Sequence, residues 1–325
     1  MEYDKSGNML IKIIRMEENM SVQKKSGYLL EDFRIFYNAD HEMKTVPLHY
    51  HDFHKIVILL AGNASYMIEG RNYNLQPGDL VLVRAGAMHR PVLHDHSLYE
   101  RIILYLSPRF YGSILERIRE QDPAEEDAVI SRTLFRKSNA SELVRPDPSV
   151  SGQFTVLFDQ LKQLSLETGK NSCFGSDVYR RLKTIELLLL LMRNIHETSL
   201  SDMRERSADP MAEHIMAFIS NHLDDPDLCV DRIAQKAGLN RSYLMHYFKE
   251  QTGFTVGNYI TEKRLFLARE LISQGKSMTE TCYECGFGSY SSFYRAYCAK
   301  YGIAPRRHSE SGKETGMNDA LASSE

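Results

Sequence analysis

The sequence predicts an α+β protein of several domains, with a small β-barrel near its N-terminus, a helical middle segment and an all-α C-terminal domain. Three observations carry this prediction. The chain has 325 residues, which is long enough for two or three domains with cores of their own. Short strand-like runs separated by turn residues fill residues 28–122. A pattern of helices and glycines occurs twice within residues 228–308.

The internal repeat defines the C-terminal domain. Residues 233–244 recur as residues 281–293, and each copy has a short helix, a glycine, a polar residue and a second helix. The glycine can end the first helix in a left-handed conformation, and the polar side chain can cap the second helix. The glycine and the capping residue are Gly238 and Asn240 in the first copy, and Gly286 and Ser289 in the second. This arrangement predicts two helix-turn-helix units.

The second helix of each unit has one apolar face and one polar face. Leu244 and Phe248 in the first unit, and Phe293 and Tyr297 in the second, are spaced to pack inward. The opposite faces mix hydrogen-bonding, cationic and aromatic side chains, which suit base edges in the major groove of DNA. A solvated face would explain one such helix, but two copies in phase favour DNA reading. The predicted base-reading residues are Arg241, Ser242, Met245, His246, Tyr290, Ser291, Tyr294 and Arg295.

The spacing between the units and the local charge also favour DNA. Residues 255–272 are predicted to form one amphipathic helix of roughly 27 Å, and successive major grooves on one face of B-DNA are about 34 Å apart. Residues 232–309 hold 12 Lys and Arg against 5 Asp and Glu, whereas the whole chain has a net charge of −3. Such a local patch fits contact with phosphates. The predicted phosphate contacts are Arg232, Lys249, Lys263 and Lys300.

Residues 231–308 resemble the DNA-binding domain of the AraC/XylS family of bacterial transcription regulators. The matching residues include Ile233-Ala234, Gly238, Phe248-Lys249-Glu250, Thr252-Gly253, Arg264-Leu265, Cys285-Gly286-Phe287, Gly302 and Pro305. The departures are Thr281, where an aliphatic residue is usual, and Tyr297-Cys298, where the family tends to have Phe-Lys. The resemblance implies seven helices in two subdomains, with base contacts from positions matching Ser242, Met245, His246, Ser291, Tyr294 and Arg295. It also implies three partners: double-stranded DNA, a second copy of the chain bound through middle-segment helices, and RNA polymerase if the protein is an activator.

The N-terminal half has six strand-like runs, within residues 33–37, 55–60, 64–68, 73–75, 80–83 and 99–106. Their spacing and the turn residues between them predict a small β-barrel or jelly roll. This half resembles the cupin-type effector-sensing domain of the same family. The resemblance implies a small-molecule effector. Lys55 and Arg84, if they face inward, favour a sugar or other polar metabolite with hydroxyl or anionic groups.

Histidines mark the candidate effector site. His49 and His51 lie two residues apart, so a strand would place them on one side, and His89 could join them to bind a divalent metal. In metal-binding cupins, however, a glutamate usually stands at the position of Lys55, and a cation there opposes metal binding. We therefore predict no metal and no cofactor. The predicted effector pocket consists of His49, His51, Lys55, Tyr66, Arg84 and His89. Two alternatives stay open: a metal-dependent cupin enzyme fused to a DNA-binding module, and a domain that only dimerises.

These patterns divide the chain into six parts. We predict a partly disordered N-terminal extension at 1–27, a cupin-like sensing domain at 28–122, a helical linker and dimerisation region at 123–198, a flexible linker at 199–209, a DNA-binding domain at 210–309 and a disordered tail at 310–325. Helices are predicted at 110–120, at the end of the sensing domain, and at 124–135, 150–167 and 176–197 in the middle part. The 5 cysteines form no disulfide framework, and Cys282 and Cys285 are expected to be buried thiols. Neither a signal peptide nor a membrane-spanning run is evident, so a cytoplasmic protein is expected. The predicted role as a DNA-binding regulator implies no enzymatic activity.

Overall fold

The computed structural model describes residues 29, 31–41, 46–121, 134–135, 142–167, 173–197 and 210–306. The predicted N-terminal extension, flexible linker and C-terminal tail lie outside the described residues. So does nearly all of the helix predicted at 124–135.

The described part of the N-terminal half forms two antiparallel sheets. The larger sheet has the strand order β1-β7-β2-β5-β8, and the smaller sheet has the order β4-β3-β6. The strands are β1 (Phe33–Asp40), β2 (His54–Ala61), β3 (Ala64–Ile68), β4 (Arg71–Asn74), β5 (Leu80–Val83), β6 (His89–Leu93), β7 (Tyr99–Leu106) and β8 (Leu143–Val144). All six predicted runs overlap strands, whereas β6 and β8 were not predicted.

The predicted α+β organisation is confirmed, but the described strands do not close into one barrel. Apolar side chains of both sheets form a common core, which includes Val57 of β2 and Tyr66 and Ile68 of β3. An isolated bridge joins His49, in the segment before β2, to His89 of β6, and their backbone N–H groups donate to each other's carbonyl oxygens at 3.1 and 2.9 Å. Closure depends on how edge strands pair, and a run of strand-like residues does not determine its pairing partner.

Strand β8 comes from the segment predicted to be helical. Leu143 and Val144 pair with β5 at the edge of the larger sheet. Arg145 holds this edge, because its guanidinium donates to both carboxylate oxygens of the buried Asp79 at 2.9 and 2.8 Å. A two-residue strand has no periodicity to recognise, so the larger sheet takes in residues beyond the predicted boundary at 122.

Three helices cover the outer face of the larger sheet. They are α1 (Pro108–Gln121), α2 (Ser151–Leu166) and α3 (Ser176–Glu197). Ile56 and Ile58 of β2 and Leu104 of β7 share one buried core with Phe158 of α2 and Leu188 of α3. Among the helices that the structure describes, none is long and apolar enough to cross a membrane.

The described part of the C-terminal domain consists of helices joined by short turns. They are α4 (Pro210–Asn221), α5 (Val230–Ala237), α6 (Arg241–Thr252), α7 (Val256–Ser273), α8 (Met278–Glu284) and α9 (Tyr290–Tyr301). Ile233, Leu244 and Phe248 lie in the core of the first unit, and Phe293 and Tyr297 lie in the core of the second. Residues of α7 contribute to both cores, so the repeat folds as two helix-turn-helix units that share one connecting helix.

The glycines and capping residues of the repeat have the predicted roles. Gly238 and Gly286 follow the first helix of each unit with φ of +69° and +76°. The side chains of Asn240 and Ser289 accept the backbone N–H three residues later, at 2.8 and 3.3 Å. A Cβ at Gly286 would lie 2.2 Å from the carbonyl oxygen of Leu223, so space as well as backbone conformation requires glycine there.

Cys282 and Cys285 lie in the core of the second unit as fully buried free thiols. Burial raises the pKa of the Cys285 thiol to about 12. Both side chains therefore act as small apolar groups of the core, as predicted.

Candidate DNA-binding and effector sites

The outer faces of α6 and α9 are exposed. Met245 of α6 and Tyr294 of α9 each have 42% of their surface exposed, whereas Leu244 and Phe293 on the inner faces are fully buried. Every predicted base-reading residue is exposed: Arg241, Ser242, Met245, His246, Tyr290, Ser291, Tyr294 and Arg295. Their contact with bases stays a prediction, and the structure leaves these side chains open to solvent.

Two arginines on these faces make contacts that DNA could replace. Arg241, the first residue of α6, forms an ion pair with Asp231 of α5, and both side chains are more than half exposed. The Arg295 Nε donates to the carbonyl oxygen of Ser291, one turn earlier in α9, at 3.3 Å. Exposed contacts of this kind contribute little stability, so either guanidinium can turn to a base edge or a phosphate.

The predicted phosphate contacts have different surroundings. Lys249 is exposed on α6. Arg232 and Lys300 pair with carboxylates of their own domain. Lys263 is nearly buried, and its Nζ lies 2.7 Å from Oε1 of Glu69 in the N-terminal domain. A phosphate contact by Lys263 does not fit this arrangement, because the side chain is turned toward the other domain.

Three histidines meet where the two sheets approach, and we call His49, His51 and His89 the histidine cluster. The ring centroids of His49 and His89 are 4.4 Å apart, those of His51 and His89 are 4.7 Å apart, and those of His49 and His51 are 6.3 Å apart. Tyr66 stacks against His89 at 5.9 Å, and the Lys55 Nζ lies 5.9 Å from the centre of the Tyr66 ring. The structure thus brings together five of the six residues predicted to line the effector pocket.

Hydrogen bonds fix the tautomer of each ring in the histidine cluster. The Nδ1 atoms of His49, His51 and His89 lie 2.9, 2.7 and 2.9 Å from backbone carbonyl oxygens two residues away. A carbonyl oxygen can only accept, so each Nδ1 carries the proton and each Nε2 has a lone pair. The Nε2 atoms of His51 and His89 are buried and have no hydrogen-bond partner among the described residues. The cluster is therefore a set of acceptors.

Burial also keeps these rings uncharged. Burial and then the charge of Lys55 lower the pKa of His49 to about 4. The same two causes hold the pKa of His51 well below its usual range, and burial together with His51 and Lys55 does so for His89. Lys55 itself is only 8% exposed. The site therefore combines neutral acceptors with one ammonium group.

Arg84, the sixth residue predicted for the effector pocket, has other contacts. Its guanidinium donates to the carbonyl oxygen of Ala85 at 3.1 Å, and its charge lowers the pKa values of His54 and Glu69. Within the residues that the structure describes, no group of three or more His, Cys, Asp and Glu side chains has the arrangement of a metal site.

The two domains touch through Glu69, a contact that the sequence did not predict and that we call the domain dock. Glu69 lies in the turn between β3 and β4, and its carboxylate accepts hydrogen bonds from the Lys263 Nζ at 2.7 Å, the Tyr259 hydroxyl at 3.1 Å and the Met88 N–H at 2.6 Å. The Lys263 Nζ also donates to the carbonyl oxygen of Gly86 at 3.0 Å. The dock thus fixes the N-terminal domain to α7, the helix shared by both DNA-binding units.

Close approach at the dock depends on two glycines. A Cβ at Gly70 would lie 2.8 Å from the Cα of Glu213 in α4, and a Cβ at Gly86 would lie 2.3 Å from the Phe266 ring in α7. The partner of Glu69 is 194 residues away in the chain, and no local pattern indicates a contact over that distance.

Comparison with known proteins identifies the chain. A model described as an AraC-like ligand binding domain matches residues 34–176, and one described as a helix-turn-helix domain matches residues 233–311. The chain belongs to the AraC/XylS family. It is a transcription regulator with an N-terminal ligand-binding domain and a C-terminal DNA-binding domain.

Relatives extend over most of this AraC-family chain. The HTH-type transcriptional activator RhaS of Shigella sonnei is 29% identical over 268 residues, which are 80% of this chain and 86% of that protein. RhaS of Escherichia coli O127:H6 is 28% identical over the same coverage. Both are named as transcriptional activators and not as enzymes. The solved structure of unsaturated fatty acid bound ToxT from Vibrio cholerae aligns with a TM-score of 0.36 and 14% identity, over 84% of this chain and 93% of that one.

A substitution at the domain dock should have a pH-dependent cost. Burial alone would raise the pKa of Glu69, but the charge and hydrogen bond of Lys263 lower it below its ordinary value of 4.5. The ion pair therefore stabilises the fold above that pH, and this stability is lost as the pH falls through the lowered pKa. We expect Lys263→Met to cost on the order of 3 kcal/mol at pH 7, measured by urea unfolding, because it leaves a mostly buried carboxylate without its cation.

The cost should shrink as the pH falls toward 4, because Glu69 then becomes protonated in the variant. Lys276→Met is the control, since Lys276 and Glu284 form an exposed pair, for which we expect a cost below about 1 kcal/mol. A cost for Lys263→Met that is the same at pH 7 and pH 4 would contradict the assigned ion pair.

Proposed function

We propose that this regulator reads DNA by placing α6 and α9 of one chain in successive major grooves, under the control of a polar small molecule bound at the histidine cluster. The observation that supports this most is the exposure of both outer faces while the N-terminal domain is docked. The shared helix α7 has 18 residues, or roughly 27 Å, which suits the separation of two adjacent grooves if the DNA bends modestly. A cytoplasmic location follows from this role.

Each second helix would supply three side chains for base edges. These are Ser242, Met245 and His246 on α6, and Ser291, Tyr294 and Arg295 on α9, with Arg241 and Tyr290 at the helix starts. Lys249 and the N–H groups at the helix N-termini would contact phosphates, and Arg232 could do so after leaving its carboxylate. Phosphate contacts set the position of the protein, and the base contacts set its sequence preference.

Arg295→Ala tests base reading directly. We expect operator affinity to fall by roughly 1–3 kcal/mol, with a relaxed preference at one base-pair position, because a guanidinium contact to a base edge is lost. The measurement is fluorescence anisotropy with duplexes selected from a random pool by the full chain, and with single-position variants of the selected sequence.

Arg117→Ala is the matched control, because Arg117 is an exposed arginine on α1 of the N-terminal domain. It should leave both affinity and preference unchanged. An equal loss for Arg295→Ala on every duplex would identify Arg295 as a phosphate contact instead.

The chemistry of the histidine cluster favours an effector that carries hydroxyl groups. Buried lone pairs on the Nε2 atoms of His51 and His89 require hydrogen-bond donors, and an unsatisfied buried acceptor costs about 1–3 kcal/mol. The Lys55 ammonium group provides donors and attracts oxygen atoms. A hydroxyl group both donates and accepts, so a sugar or polyol can donate to the Nε2 atoms and accept from the Lys55 ammonium group.

A thermal-shift screen with sugars, polyols and sugar acids tests this effector class. A compound that binds only the folded protein at 100 times its Kd stabilises by about 2.7 kcal/mol and raises the melting temperature by several degrees. We expect His51→Asn to abolish this rise. His54→Asn should retain it, because the His54 ring stacks on Phe135 at 4.1 Å, outside the histidine cluster.

A rise that survives in His51→Asn would place the effector elsewhere. Metal analysis of the same purified protein tests the alternative of a metal-dependent cupin enzyme. Stoichiometric iron, manganese or zinc that is lost in a His49/His89 double variant would favour it.

We propose a homodimer formed through α2 and α3. Large apolar side chains are exposed on these two helices and on the turn before α3: Val156, Leu166, Phe174, Val178, Tyr179 and Leu182. Leu164, Phe174 and Tyr179 line a groove between the two helices. Exposed apolar side chains gathered in this way mark a protein interface, and the family resemblance implies a second copy of the chain as the occupant. RNA polymerase is a further proposed partner if the regulator activates transcription.

A double variant, Val178→Asp with Leu182→Asp, should make the protein monomeric. Val178 and Leu182 are 65% and 56% exposed, so their replacement by aspartate should leave the fold of each chain intact. Sedimentation equilibrium measures the change, and charges in the centre of an apolar interface typically cost more than about 2 kcal/mol. Tyr283→Asp on α8, where Tyr283 is 58% exposed, is the control and should remain dimeric. A dimer that persists in the double variant would place the interface elsewhere.

A further inference from the structure

The two helix-turn-helix units have separate apolar cores on the two halves of α7. Val256, Tyr259 and Ile260, in the first half of the helix, pack in the core of the first unit. Leu265 and Ala268, in the second half, pack in the core of the second unit. Packing of this kind fixes each unit to the helix and does not fix the units to each other, so each could rock on its own half of α7.

Arg264 lies on α7 between these two sets of residues and joins the units directly. Its Nε donates to the carbonyl oxygen of Leu223 at 2.9 Å, and its Nη2 donates to the carbonyl oxygen of Asp225 at 2.6 Å. Both acceptors belong to the segment between α4 and α5, and Leu223 lies in the core of the first unit. The Arg264 Cζ also lies 5.9 Å from the centre of the Phe287 ring in the second unit. Arg264 is only 9% exposed, so water competes little for these contacts.

The backbones of the two units also approach each other beside Arg264. A Cβ at Gly286 of the second unit would lie 2.2 Å from the carbonyl oxygen of Leu223, 3.0 Å from the carbonyl carbon of Asp224 and 2.8 Å from the Arg264 Nη2. Any other residue at this position would push the two units apart. We give the name inter-unit clamp to Leu223, Asp225, Arg264, Gly286 and Phe287.

We propose that the inter-unit clamp holds the two DNA-binding units as one rigid body, with Arg264 as the positioning residue. The regulator then accepts a single separation of its two half-sites, the base pairs that face α6 and those that face α9. A planar guanidinium presents its N–H groups in fixed directions, so one side chain can hold two carbonyl oxygens in a set position relative to α7. Rocking of either unit would break a charge-assisted hydrogen bond and leave a mostly buried donor without a partner.

The consequence for DNA reading rests on the proposed function, in which α6 and α9 enter successive major grooves. One base pair inserted between the half-sites moves one of them by about 3.4 Å along the duplex and turns it by roughly 35° about the axis. A rigid pair of units can follow this change only if the DNA twists or bends, and the cost of that deformation lowers the affinity. Units that are free to rock can follow the change themselves.

Distances between the two units in the absence of DNA test the clamp. Spin labels on Glu250→Cys in α6 and Ala299→Cys in α9, which are both exposed positions, report these distances by double electron–electron resonance. Serine replaces the three cysteines of the full-length protein that are not buried, which are Cys173, Cys229 and Cys298. Labelled chains are diluted with unlabelled chains, so that only pairs within one chain contribute. We expect a narrow distance distribution that Arg264→Gln broadens about twofold or more, because the first unit is then no longer held to the second.

Thr255→Ala is the matched control on the same helix. The Thr255 hydroxyl caps α7 by accepting the Asn258 N–H at 3.3 Å and lies outside the clamp, so its loss should leave the distribution narrow. Arg264→Lys keeps the charge but loses the planar set of donors, so we expect an intermediate width. This second variant also replaces Arg264→Gln if that protein does not fold. An unchanged width in the Arg264 variants, or equal broadening in Thr255→Ala, would overturn the proposal.

The spacing of the half-sites gives a second measurement, with the duplex that the full chain selects from a random pool and with derivatives that have one base pair more or less between the half-sites. Wild-type affinity should fall about 10-fold or more on either derivative, a loss comparable to that for one mismatched base pair. Arg264→Gln should reduce this difference to about 3-fold or less, whereas Thr255→Ala should retain it. Equal wild-type affinity for all three spacings would also contradict the proposal.

The two measurements separate the clamp from the proposed function. A narrow distribution that Arg264→Gln broadens supports the clamp whether or not the protein prefers one duplex. If the same wild-type protein shows no preference among duplexes, the result contradicts the proposed DNA reading and not the clamp.

Discussion

The ion pair between Glu69 and Lys263 is the interaction on which the arrangement of the two domains depends. Removing two charges from water is costly, and further hydrogen bonds offset this cost. Glu69 accepts from the Tyr259 hydroxyl and the Met88 N–H, and Lys263 donates to the Gly86 carbonyl oxygen. The pair is also placed on α7, the helix that both DNA-binding units share. One well-satisfied contact can therefore set the position of both second helices, while their outer faces stay exposed.

The Glu69–Lys263 pair has hydrogen-bond partners on both sides, whereas the histidine cluster contains buried nitrogen atoms that lack hydrogen-bond donors among the described residues. Buried polar atoms are nearly always hydrogen-bonded in folded proteins, so unpartnered Nε2 atoms on His51 and His89 require a physical reason. The neutral state set by burial and by Lys55 makes these atoms acceptors at neutral pH. At the proposed effector site, a hydroxyl-bearing ligand would supply these donors and regain the stability that their absence costs.

The exposure of the predicted base-reading residues follows from local sequence, whereas the surroundings of Lys263 and Arg84 depend on tertiary packing. Positions on α6 and α9 follow from helical periodicity, which is a local property, and the structure exposes every predicted base-reading residue. The assignment of Lys263 relied on charge alone, and a lysine on the polar side of a helix can face either DNA or another domain. The spacing of His49 and His51 places both rings in the histidine cluster, whereas Arg84 follows the end of β5 and its guanidinium donates to the carbonyl oxygen of Ala85.

The sequence by itself determined the elements that local chemistry specifies: the strand runs, the helices, the glycine stops, the side-chain caps and the repeat that pairs two helix-turn-helix units. These depend on residues within a few positions of each other. Tertiary structure alone decided that the strands form two sheets, that β8 extends the larger one, and that Glu69 meets Lys263. Such contacts join residues far apart in the chain, where many pairings satisfy the same local pattern and only packing of the whole molecule selects one.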